Sequence, residues 1–355
     1  MAHLPGWTRD PRVELVAVCD VEEERAEEAA AKFGASESTT DAQRVIERDD
    51  IDVIDVVTGD RAHFDLTMQA LEAGKHVLVE KPVAHDFRDT LRARDLAASK
   101  GLKTKVGFTF RYSPAVRRMK ELIDEGWVGT PYIYNAYEQN SQWIDPQTPL
   151  RQVPADVDQE RIRVSSLEGY GAPVIDLGHW FMDADLTSVV GVLRNFVPER
   201  MIRETGTMMR ANIDDGDIFI GEFEGGAICS VQSSFVTVGN YPGIEVRVYG
   251  SEGALIARLV EEFGVMETLK GAKPDAVEFV DVEVPQRLFP TGGDVHEPWP
   301  SLYYSNLTAN FVDEILEGGD RNEGNFADAA WVQEVINAVE QSHHARGWVD
   351  LPLPR

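Results

Sequence analysis

Four short stretches hold side chains that can do chemistry. In HVLVEKP, residues 76–82, a carboxylate and an amine leave an apolar run and meet a proline. Glu80 and Lys81 would be costly there if buried without partners. A lysine at such a place can bond a substrate hydroxyl and move a proton, which arginine in practice cannot do. Taken alone, the pair also reads as a salt-bridged loop. In GYGAPVIDLGHWFMD, residues 169–183, Asp176, His179, Trp180 and Asp183 recur at helical spacing. His179 falls about 60° to one side of Asp176 and Trp180 about 40° to the other, so the four share one face. An Asp and a His on one face can serve as orienter and general acid–base, and a satisfied structural histidine is the plainer reading. VELVAVCD, residues 13–20, is an apolar run ending in an acid. Such an acid suits the ribose hydroxyls of a dinucleotide, or caps the helix that follows. Asp20 is followed by Val21, Glu22 and Glu23. A 2′-phosphate would meet three carboxylates and no arginine, which favours NAD over NADP. In TGDRAH, residues 58–63, a strand gives way to a helix, whose first amides suit a phosphate or ribose. Asp60 reads equally as an ordinary N-cap. No HxxxH, HExxH or Cys/His ligand spacing occurs, so no metal is expected.

The elements that carry these residues alternate from 13 to about 110. Apolar strands are VELVAVCD, IDVIDVVTGD, HVLVEKP and KTKVGFTF, and helical stretches cover 21–33, 41–48, 62–73 and 86–100. Phe64, Met68 and Leu71 share one helical face, and Gly74 stands where a helix stop is wanted. Continuous apolar strands between helices imply a parallel sheet covered on both faces. The pattern then changes. A helix over 114–125 leads into YIYNAYEQN, DIFIGEFEGGAICSVQSSFV and IEVRVYGSEGALIARL, which read as antiparallel strands with hairpin turns. Residues 271–300 read as surface loops, and helices over 302–317 and 326–345 close the chain. The expected division is a dinucleotide-binding domain over 1–110 and a second α/β domain over 111–355.

Net charge is −27, from 34 basic and 61 acidic residues, which disfavours nucleic acid and anionic membranes as partners. No apolar run approaches the ~18 residues of a membrane helix. The start shows no secretory pattern, so a cytoplasmic protein is expected. Cys19 and Cys229 lie in apolar runs and read as inert thiols.

In order, the chain offers an acid-ended strand, TGDRAHFDLTMQALEAGKHVLVEKP, VGFTFRYSPAVRRMKELIDEGWVGTPY, the GYGAPVIDLGHWFMD helix and DDGDIFIGEFEGGAI. This set resembles the Gfo/Idh/MocA oxidoreductases, the family of glucose–fructose oxidoreductase and inositol dehydrogenase, from about residue 3 to the end. The resemblance implies a Rossmann-like parallel sheet domain followed by an α/β domain with a large, open, mostly antiparallel sheet. It implies hydride transfer between NAD(P) and a hydroxyl-bearing carbon of a sugar, polyol or inositol. By position Lys81 is the catalytic lysine and Asp176 the substrate-facing acid. Asp20, Thr58, Asp60, His63, Glu80, Lys81 and Pro82 line the cofactor side. Arg111, His179 and Trp180 are counted with Lys81 and Asp176 on the substrate side. The family's histidine usually stands four residues after the aspartate. Here that residue is Trp180, and His179 is expected to take the role from one position earlier. Two other readings stand beside the dehydrogenase: an NAD-assisted glycosidase or epimerase, and a non-catalytic sugar or nucleotide sensor. A homodimer or homotetramer is expected, because a large sheet face must be covered.

Only 19 residues precede Asp20, and they hold one glycine. MAHLPGW matches the helix after a glycine loop, so the first strand and the loop are expected upstream of Met1. Leaving that central strand out would open a gap of about 9.6 Å between VELVAVCD and IDVIDVV and bare an edge on each. A start assigned too late is the favoured reading, and a real loss is its rival.

Overall fold

The computed structural model describes residues 3–150, 161–203, 205–239, 243–260, 267–294, 296–318 and 323–355. The chain divides into two compact units, Met1–Ser113 with Phe289–Trp331, and Pro114–Leu288 with Val332–Arg355.

The first unit opens with α1 (Leu4–Arg9), β1 (Ala17–Cys19), α2 (Glu23–Phe33), β2 (Glu37–Thr39), α3 (Ala42–Ile46) and β3 (Val53–Val56). It continues with α4 (His63–Glu72), β4 (His76–Val79), α5 (Phe87–Ser99) and β5 (Thr104–Val106). Local sequence sets the helix ends. Asp41 and Asp86 accept from the Arg44 and Arg88 amides as N-caps, and Gly34 ends α2 with φ 78°. β4 lies between β3 and β5, parallel to both, and Val77, Leu78 and Val79 are fully buried. That burial on both faces is why its sequence is continuously apolar. β1 pairs with β2 in a separate parallel sheet, over three residues. The strand expected over 13–20 is therefore shorter, because β2 supplies pairing only from Glu37 to Thr39.

The second unit holds α6 (Pro114–Asp124), β6 (Pro131–Gln139), a π-turn (Leu167–Gly171) and α7 (Ala172–Met182). β7 (Leu186–Arg194), β8 (Glu199–Ile202), β9 (Thr207–Arg210), β10 (Gly216–Phe223) and β11 (Ile228–Ser234) follow. β12 (Gly243–Gly250), β13 (Ala254–Val260), β14 (Thr268–Ala272) and β15 (Val280–Asp281) complete this run. The chain then gives α8 (Trp299–Glu317) to the first unit, and α9 (Phe326–Ala345) and β16 (Val349–Asp350) follow. The large sheet runs β15-β14-β13-β12-β6-β11-β10-β7-β16. It is antiparallel apart from the β6–β11 pair, which is parallel. Its strands alternate as a one-sided sheet must: in β10, Phe219 is buried whereas Ile218 and Ile220 are exposed.

In the first unit α1 packs on α8 through Trp7, Tyr304, Leu307, Phe311 and Val312, joined by Leu78 and Tyr112. The approach is close. A Cβ on Gly6 would lie 2.7 Å from both the Tyr304 carbonyl and Thr308 Oγ1. β5 is bound to α8 by charge. Lys105 Nζ, fully buried, sits 2.8 Å from Glu314 Oε2 and 2.8 Å from Asn310 Oδ1, and also donates to the Glu323 carbonyl.

Candidate functional site

The candidate residues fall into two sets, one in each unit. In the first, the fully buried Val79 ends β4, and Glu80, Lys81 and a cis-linked Pro82 follow at the strand's carboxyl end. Open α/β sheets bind ligands at that end. Lys81 is half-buried, and its amide donates to Glu80 Oε2 at 3.1 Å. Glu80 Oε1 accepts from the Tyr304 hydroxyl at 2.6 Å and lies 3.0 Å from His3 Nε2. His3 Nδ1 is 3.0 Å from both Asp55 oxygens, and Trp7 Nε1 donates to Asp55 Oδ2 at 2.7 Å. Gly107 leaves room for the carboxylate, since a Cβ there would stand 2.5 Å from Glu80 Oε1.

This is a buried cation between two carboxylates. Burial alone would lower the His3 pKa, but Asp55 and Glu80 raise it to about 10. Burial alone would raise that of Glu80, but His3, Lys81 and Tyr304 hold it at about 2. The linkage has opposite signs at the two groups. The raised histidine contributes stability below pH 6.5, lost as pH climbs toward 10. The lowered glutamate contributes above pH 4.5, lost as pH falls toward 2. Thermal melts across pH should therefore show the network's contribution greatest between 4.5 and 6.5. In a His3→Gln variant the alkaline decline should flatten.

The TGD segment meets the same turn. His63 is buried, with Nε2 3.0 Å from the Thr58 carbonyl and Nδ1 2.8 Å from the Pro82 carbonyl. Asp60 begins a short 3₁₀ turn, Asp60–Ala62, accepts from the Arg61 amide at 2.8 Å and stands 3.8 Å from His85 Nε2. Thr58, Asp60, His63, Glu80, Lys81 and Pro82 are thus grouped in one unit. Asp20 follows β1, and its Oδ1 accepts from the Glu22 amide at 2.9 Å. It forms a local turn, and α2 begins at Glu23 with Glu22 as its N-cap.

Carboxylate, hydroxyl and imidazole groups at strand ends are of the kinds that would suit the ribose and nicotinamide ends of a dinucleotide. Val21 and Val57, just past the ends of β1 and β3, are 90% and 42% exposed, apolar surface that a cofactor would cover. The segment 20–24 that follows β1 carries four acids and no arginine for a 2′-phosphate. The pyrophosphate cradle is not found among the described residues, where the only glycine before β1 is Gly6, used in packing α1 on α8.

In the second unit α7 carries Asp176, His179 and Trp180. Its π-turn start is held by Asp214, fully buried, which accepts from the Ser165, Ser166 and Leu167 amides. Asp217 is buried beside it and accepts from the Ser233 amide and hydroxyl. Burial raises the pKa of both carboxyls, and the charge of Asp217 raises that of Asp214 further, so the pair tends to retain a proton. Gly178 seats the helix. A Cβ there would fall 2.7 Å from the Tyr134 ring, whose hydroxyl donates to the Val174 carbonyl. Asp176 is only 1% exposed. His179 Nε2 meets Asp185 Oδ1 at 3.1 Å, and Trp180 lies under Arg117 and Lys120 of α6.

The structure alters several expectations. Asp183 does not share the face of Asp176, because α7 ends at Met182 and Asp183 turns left-handed (φ 47°) into solvent. Arg111, expected at the substrate, is 3% exposed and ion-paired with Asp328 at 3.2 Å. Cys19 is half-buried, whereas Cys229 is buried, which pushes its thiol up to about 12. His3, Asp55 and Tyr304 escaped the sequence reading. An acid inside the apolar run IDVIDVV was the available signal, since Asp55 must find a partner there. Among the described residues no cluster of His, Cys, Asp and Glu could hold a metal, and no helix is long and apolar enough to cross a membrane.

The profile described as "Oxidoreductase family, NAD-binding Rossmann fold" matches residues 1–108, and that of the GFO/IDH/MocA C-terminal domain matches residues 116–256. The chain belongs to the Gfo/Idh/MocA family of NAD-binding oxidoreductases. Among its relatives are a levoglucosan dehydrogenase of Pseudarthrobacter phenanthrenivorans and the scyllo-inositol 2-dehydrogenase (NAD(+)) of Bacillus subtilis. The first is 27% identical over 94% of this chain and 89% of its own length. The second is 27% identical over 76% of this chain and 74% of its own. A levoglucosan dehydrogenase solved with NADH and levoglucosan shares the fold, with a TM-score of 0.84 at 24% identity, covering 99% of this chain and 97% of that one.

Proposed function

We propose that this protein is a cytoplasmic NAD-dependent dehydrogenase of a sugar, anhydrosugar, polyol or inositol. The observation that carries the reading is Lys81. It follows the carboxyl end of a strand whose last three residues are fully buried, on a turn shared with Glu80 and Pro82. Oxidation of a CH–OH carbon releases a hydride and a proton. NAD supplies the hydride acceptor. Lys81 is assigned the hydroxyl proton, and Asp176 the substrate-facing role. His179, held by Asp185, is assigned to hydroxyl contact, and Trp180 beside it to the substrate wall. Asp20 is assigned the ribose, and Thr58, Asp60, His63, Glu80 and Pro82 the nicotinamide side. Arg111 is assigned a supporting role through Asp328. The names of the relatives support the substrate class. A screen of NADH formation over levoglucosan, scyllo-inositol and a set of free sugars tests the reading. Turnover of at least one is expected, and no NADH from any would remove it.

We infer that the chain forms a homodimer or homotetramer through the open sheet face. Val192, Ile218, Ile220, Ile228 and Ile133 stand exposed on neighbouring strands β7, β10, β11 and β6, an apolar run of the kind that marks an interaction surface. Light scattering should give a multiple of the single-chain mass. The pair Ile218→Asp and Ile220→Asp should reduce it to one chain with the melting curve still cooperative.

A further inference from the structure

We propose that His3 is a positioning residue for Lys81: its side chain, clamped between Asp55 and Glu80, fixes the carboxylate whose second oxygen holds the Lys81 amide. This rests on the catalytic reading of Lys81. The chain of contacts is short. Both oxygens of Asp55 meet His3 Nδ1 at 3.0 Å, His3 Nε2 meets Glu80 Oε1 at 3.0 Å, and Glu80 Oε2 accepts the Lys81 N–H at 3.1 Å. With both ring nitrogens against carboxylate oxygens, the geometry requires two donors, and only the imidazolium has two. The ring is 2% exposed and lies 4.4 Å from the Tyr304 ring, so water does not compete for these bonds. The raised pKa of His3 agrees. Tyr304 closes the remaining approach to Oε1 at 2.6 Å, and Gly107 leaves no side chain on the other flank.

The local charges do not cancel. One imidazolium faces two carboxylates, and the remaining negative charge stands one residue from the Lys81 ammonium. Glu80 is therefore held at both oxygens, by a cation on one and by the Lys81 amide on the other. A carboxylate held so cannot change rotamer, and the peptide leading into Lys81 is fixed with it. Without His3 the two half-buried carboxylates lose the cation that stands between them, and Glu80 loses its strongest partner.

The test compares wild type, His3→Gln and Tyr304→Phe in the full chain. Backbone exchange at Lys81, read by NMR or mass spectrometry, should quicken strongly in His3→Gln and less in Tyr304→Phe. Turnover of the substrate found by the NADH screen should fall about tenfold to a hundredfold in His3→Gln, since a misplacement of ~1 Å can cost ~10². KM should stay within a factor of about three, as loss of positioning rather than of binding predicts. In wild type the His3 ring should still be protonated at pH 8 by NMR, a measurement that stands even if His3→Gln does not fold. A neutral ring at pH 8, or Lys81 exchange unchanged in the variants, would overturn the proposal. Normal turnover in Lys81→Ala together with loosened Lys81 exchange in His3→Gln would strike the catalytic reading alone.

Discussion

Lys81→Ala should lose about 10²–10⁴-fold in turnover, the usual worth of a positioned acid–base group. The loss should appear in kcat more than in KM, because the proton moves only as the hydride leaves. NADH binding should persist, since Asp20 and the His63-linked loops are untouched. Stability should change little. The Lys81 contact to Glu80 that the fold uses is made by the backbone amide, which alanine retains. Lys81→Arg should rescue poorly, because a guanidinium keeps its proton. Steady-state rates on the substrate found by the NADH screen check this, and near-normal turnover in the alanine variant would remove Lys81 from the chemistry.

Lys105→Met should destabilise the first unit by about 3–5 kcal/mol, the usual cost of leaving one partner of a buried ion pair alone. Lys105 is fully buried and Glu314 is 2% exposed, so Glu314 would be stranded. Adding Glu314→Leu should recover most of the loss, since apolar replacement of both partners is often neutral. Denaturant titration of the two variants against wild type makes the comparison. A single variant as stable as wild type would show that water reaches Glu314.

Much of the fold was legible because local signals agreed. The helix over 326–345 and the strand HVLV emerged as read, since periodicity, burial and end residues pointed the same way. The place of Lys81 just past a strand end was legible for a related reason: a charged pair directly after an apolar run marks a strand end where charge must meet a partner or a ligand. The brace around it was not. His3 lies 77 residues from Glu80, and Tyr304 lies 224. No periodicity reports contacts so distant. The stop of α7 was hidden because Asp183, not a glycine, takes the left-handed turn. The place of Arg111 was hidden because its partner Asp328 lies far along the chain. The parallel β6–β11 pair was missed because a strand's pattern shows which face is apolar, not which neighbour it takes.

His63 has one further consequence. Its two ring nitrogens stand against two main-chain oxygens, those of Thr58 and Pro82. One imidazole therefore staples the turn after β3 to the turn after β4. A shift in either turn is carried to the other through this single ring, and replacing His63 by alanine would let the two move independently.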